Sequence, residues 1–83
     1  MEENLQMRDQ IFEIIKNQIK NNEPPETKIT YSKLIELGFS EMETMKMIGQ
    51  CVAVEIFEIL KNKKPFDERR YIRNLDLLPQ SPV

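Results

Sequence analysis

ELGFSEMETMKMIGQCVAVEIFEIL, residues 36–60, contains a helix stop, a helix start and the longest apolar periodicity in the chain. Gly38 suits the position just past a helix end, where the backbone turns left-handed and a side chain is costly. Ser40 follows, with Glu43 three residues on, which is the pattern of a capping box: the serine oxygen accepts from an orphan amide and the glutamate reaches back to the serine amide. Phe39, just before the cap, is placed to pack back onto a core. Beyond it Met45, Ile48, Val52, Ile56, Ile59 and Leu60 recur as a broad stripe, with Met42 and Cys51 at its margins. This predicts a long central helix over about 40–61. Val52, Val54, Ile56 and Phe57 favour strands, but a six-residue strand would interrupt that periodicity.

Outward from this helix the pattern stays helical. Leu5, Phe12, Ile15 and Ile19, widened by Ile11 and Ile14, define a first helix from Leu5 to Ile19. A second begins at Pro25, or at Thr30 used as a cap, with Tyr31, Leu34, Ile35 and Leu37 as its apolar face and Gly38 as its stop. Asn62-Lys63-Lys64-Pro65 ends the central helix. Asp67 caps a last one, with Tyr71, Ile72, Leu75 and Leu78 facing inward and Pro79 closing it. The expected fold is an all-α, compact four-helix domain with short connections, one domain over residues 1–83 with a frayed tail from 79.

The chain has 83 residues, one cysteine and no histidine. A single cysteine permits no internal disulfide and fits a reducing compartment. The acidic MEENLQMRDQ start lacks the features of a secretory signal, and no apolar run reaches the roughly 20 residues of a membrane span. A cytoplasmic location is expected. The net charge of -2 is unevenly spread: residues 1–23 carry three basic and five acidic groups, 24–60 three and six, and 61–83 six and three. Only the last segment is net positive.

That segment is the one candidate for phosphate contact, through Lys61, Lys63, Lys64, Arg69, Arg70 and Arg73. Its lysines also suit the C-terminal dipole of the central helix. Cys51 lacks a histidine to activate it and lies mid-helix, away from the cap, which favours packing over catalysis. Gly49, Ala53 and Cys51 present small surfaces that let a neighbouring helix approach closely, in the core or across a dimer interface. Met42 and Met47, with Phe66 in the last loop, are candidates for a partner-facing surface. Glu55 and Glu58 lie one turn apart, a spacing that can serve acid–base work or a metal. Di-metal bundles, however, bring histidines with their glutamates. Glu55 sits near the apolar arc, part-buried, with Lys28, Arg70 or Arg73 as its partner.

The LGFS join resembles both a helix-turn-helix and the hydrophobic-glycine-aromatic loop of ubiquitin-binding three-helix folds, but the following helix is too long and too apolar for either. A wider resemblance spans residues 21–79. EPPET, the LGFS turn with its flanking Tyr31, Leu34, Met42 and Glu43, the IG..VA.EIFEILK helix and PFDERRYI..L..LP are similar to a family of small bacterial proteins classed as a domain of unknown function. The resemblance implies an all-helical fold and carries over no catalytic residue. No catalytic, cofactor or metal residue is assigned. The reading is a small non-enzymatic protein-interaction domain that binds a protein partner or itself, the latter as a homodimer. The alternative is a nucleic-acid-associated accessory factor using residues 61–73, and the third choice is a carboxylate-dependent metal site or enzyme. No membrane partner is expected.

Overall fold

The computed structural model describes the backbone of residues 2–80 and the side chains of residues 7–80. The described residues form four helices: α1 (Glu2–Asn21), α2 (Pro25–Glu36), α3 (Glu41–Asn62) and α4 (Glu68–Leu77). Leu5, placed on the first apolar stripe, lies outside the described side chains, as does the tail at residues 81–83.

Each boundary has a local cause. Pro24 is extended and Pro25 opens α2, where proline's missing amide costs nothing. Thr30 is therefore a buried interior residue and not a cap. At the other end Gly38 has φ 105°. The Gly38 amide donates to Ile35 O at 3.0 Å and the Phe39 amide to Leu34 O at 3.2 Å, the paired bonds of a Schellman stop. The capping box then forms as expected, with the Glu43 amide donating to Ser40 Oγ at 3.1 Å and the Ser40 amide to Glu43 Oε1 at 2.9 Å. α3 ends at Lys63, a lysine held at φ 56° where glycine is usual. Asp67 caps α4, accepting from the Arg70 amide at 3.1 Å.

α2 and α3 each pack against all three other helices, with α1 and α4 flanking this pair. The Cα radius of gyration is 12.2 Å, close to the roughly 12 Å expected of a compact chain this long. Ile11 and Ile15 of α1, Leu34 of α2, Ile48, Cys51 and Val52 of α3, and Tyr71 and Leu75 of α4, with Leu78 just beyond, make the core.

Several expected core positions are not in it. Ile35 and Leu37 are exposed, and Ile14 stands at the edge of the α1 stripe, also exposed. The inner face of α2 is instead built on Thr27, Thr30 and Leu34. Their i, i+3, i+7 spacing is helical, but threonine is not counted as apolar in a periodicity reading. Ile59 and Leu60 are exposed too. α3 has 22 residues and α4 has 10, or about 33 Å against about 15 Å. Because α4 is anchored near Glu55, the last turn of α3 runs beyond it. Asn74, unremarked in the sequence, is fully buried, and neither heteroatom of its amide has a hydrogen-bond partner among the described residues.

Candidate partner-binding groove

α1 and α3 run antiparallel. Near one end Lys16 and Ile19 share a concavity with Glu41 and Met45; toward the other, Met7 and Arg8 meet Gly49 and Ala53. Gly49 is buried at the crossing. A β-carbon built there would lie 3.3 Å from Ile11 Cγ2, 3.8 Å from Phe12 Cε1 and 4.0 Å from Ile15 Cδ1. The close approach expected at Gly49 is thus made by α1 side chains and not by its backbone.

Beside this contact a groove of about 360 Å³ opens between the two helices. Met7, Ile11, Phe12, Gly49 and Ala53 are its apolar lining, and Arg8, Lys46 and Gln50 its polar lining. The Arg8 guanidinium carbon lies 5.9 Å from the Phe12 ring centroid. Arg8 Nε is buried without a hydrogen-bond partner among the described residues. Farther along α3 the arc that holds Gly49 and Ala53 continues through Phe57 and Leu60, which are 55 % and 69 % exposed. Lys61 Nζ lies 5.1 Å from the Phe57 ring centroid, so cations accompany this apolar strip along its length.

The residues singled out in the sequence are distributed differently. Met42 is half exposed in the first turn of α3, Met47 is half-buried against the core, and Phe66 lies in the linker before α4 with its ring edge-on to Tyr71 at 5.3 Å. The Asp67 amide next to Phe66 is held at Glu55, 13 residues along α3 from Met42, about 20 Å of helix axis, so Met42 and Phe66 do not form one surface. Cys51 is fully buried, and burial pushes its thiol up to about 12. Lys61, Lys63, Lys64, Arg69 and Arg73 are exposed.

Arg70 does not belong with those five. Its Nε donates to Glu55 Oε2 at 2.6 Å and its Nη2 to Glu55 Oε1 at 2.9 Å. Glu55 is fully buried, deeper than its place near the apolar arc implied, and it also accepts from the Asp67 amide at 2.8 Å. Of the three cations considered for Glu55, Arg70 is the partner. Glu58 instead accepts from Asn62 Nδ2 at 2.8 Å, so the two carboxylates do not converge. Among the described residues no three His, Cys, Asp or Glu side chains gather as metal ligands.

One polar cluster gave no sign in the sequence. Gln18 Oε1 accepts from Thr27 Oγ1 at 2.7 Å and from the Tyr71 hydroxyl at 2.8 Å, tying α1, α2 and α4 together. Burial, its largest influence, pushes the Tyr71 phenol up to about 12. The partners are far apart in sequence, and no single residue among them signals the contact.

No protein-family model, curated protein or solved structure matches this chain.

Proposed function

We propose that this chain is a protein-interaction domain that acts by contact and not by catalysis, through the α1–α3 groove and the α3 strip that extends it. The observation that carries this reading is the exposed Phe57 and Leu60, continuing the arc of Gly49 and Ala53 on a helix whose opposite side is already packed. Large aromatic and aliphatic side chains on a rigid helix are the usual anchors of an interface, and leaving them in water has no folding benefit. The buried, weakly acidic Cys51 and the fully engaged Glu55 support the non-catalytic part. The five exposed cations around residues 61–73 keep an accessory role on nucleic acid as the rival outcome.

Affinity capture from the native cell, with and without nuclease, separates the two. A protein retained after nuclease and lost with Phe57→Asp/Leu60→Asp is the expected result, provided circular dichroism shows the variant folded. Association that disappears with nuclease overturns the reading. A second copy of the chain is one partner this surface accepts, and sedimentation of wild type and variant reports it directly.

A further inference from the structure

The chemistry of the groove narrows the kind of partner, on the premise that the α1–α3 surface is an interaction site. The protein has a net charge of -2, yet the charged residues lining the groove, Arg8 and Lys46, are both cations, and a third, Lys61, sits over Phe57 on the continuing strip. Neither Arg8 nor Lys46 is in an ion pair among the described residues, where the pairs are Lys16–Glu13 and Arg70–Glu55. Arg8 also holds a buried Nε with no hydrogen-bond partner there. A buried donor left unpaired is costly, and a carboxylate is the acceptor that satisfies a guanidinium best. Between these cations lies an apolar lining of Met7, Ile11, Phe12 and Ala53, with Gly49 at its base beneath Ile11 and Phe12. The apolar arc from Gly49 to Leu60 spans 11 residue steps, about 16 Å of helix axis, a length matched by three turns of a docked helix.

We infer that the groove receives an acidic amphipathic helix of another protein, whose apolar face lies over Phe12, Ala53, Phe57 and Leu60 and whose carboxylates meet Arg8, Lys46 and Lys61. Recognition is of the helix-in-groove kind: apolar anchors one turn apart give affinity, and the cationic rim selects acidic sequences over basic ones of the same apolar pattern.

The test is selection from a displayed library of randomised 16-residue peptides on the full chain, followed by binding of the enriched peptides to Arg8→Glu/Lys46→Glu. Enrichment of acidic peptides with apolar residues at helical spacing is expected. Their affinity should fall at least tenfold on the charge reversal and fall as salt rises, and the amides of Gly49, Gln50 and Ala53 should shift in NMR spectra of the complex. Peptides that are neutral or basic, binding that survives the reversal, shifts confined to other helices, or no enrichment over a scrambled-sequence bait each overturn it. The two readings fail separately. A cellular partner lost with Phe57→Asp/Leu60→Asp but indifferent to Arg8→Glu/Lys46→Glu leaves the interaction reading standing and removes the acidic helix.

Discussion

α3 meets α4 and α1 through different chemistry. Toward α4, whose Tyr71 and Leu75 share the apolar core, the contact adds a polar and directional part: the buried Glu55 carboxylate receives three hydrogen bonds from the start of α4 and the linker before it. Toward α1 it is apolar and depends on shape, with Ile11, Phe12 and Ile15 laid over Gly49. The polar seam specifies one register, because a carboxylate moved by one residue loses all three donors. The apolar seam tolerates small adjustments, and it is there that the groove remains open. A seam closed by charge is complete in itself, whereas one closed by shape can still accept another helix.

This contrast is broken most severely at Glu55. Glu55→Ala leaves the Asp67 amide and the Arg70 guanidinium without their acceptor, and removing one member of a buried pair costs about 3–5 kcal/mol, set against a typical total of about 5–15 kcal/mol. The urea midpoint should fall sharply. A loss below about 1 kcal/mol, the scale of exposed pairs, would make the polar seam ornamental.

Alkaline pH gives the next effect. Cys51 and Tyr71 are raised from 9.0 and 10.0 to about 12 by burial. Both hold their protons more tightly folded than unfolded, so their contribution is complete below the unfolded values. It is lost as pH rises from about 9 through 12, at up to about 1.4 kcal/mol per pH unit for each group. Denaturant melts at stepped pH should show the decline. Tyr71→Phe should flatten its upper part.

The apolar seam is tested at Gly49. Gly49→Leu forces side-chain atoms into Ile11 and Phe12, and overpacking of this kind costs about 1–3 kcal/mol. A stability unchanged from wild type would mean that the groove absorbs the leucine. The smallest effect is that of Gly49→Ala. Helix propensity favours it by about 1 kcal/mol, while the 3.3 Å approach to Ile11 Cγ2 requires the isoleucine to yield by a few tenths of an ångström. The expected melting temperature is within a few degrees of wild type. A full gain would show that the seam is loose, and a marked loss that it is rigid.

The two seams were also unequally legible. Capping boxes and glycine stops are local chemistry, and the sequence around Leu37 to Glu43 carried both ends of that join without help from the rest of the chain. The apolar contacts of Ile11, Ile15, Ile48 and Val52 followed from helical spacing. Glu55 could be flagged by its place near the apolar arc, but choosing Arg70 over Lys28 and Arg73 needed the course of the linker. Gln18 and Tyr71, 53 residues apart, had no local signature at all. Ile35, Leu37, Ile59 and Leu60 show the opposite failure. Periodicity finds an apolar face but not where the neighbouring helix ends, and Leu60, read as core, is instead part of the open strip.

α4 is only ten residues long, and helices below about 12–15 residues are marginal in water on their own. Its order therefore depends on docking, through the hydrogen bonds at Glu55 and the Tyr71 hydroxyl at Gln18. This makes α4 the segment expected to assemble last and to open first. Native-state hydrogen exchange should show its amides exchanging through a lower-energy opening than those of Ile48 and Val52. Glu55→Ala should then act mainly on the unfolding rate and leave refolding nearly as fast as in the wild type.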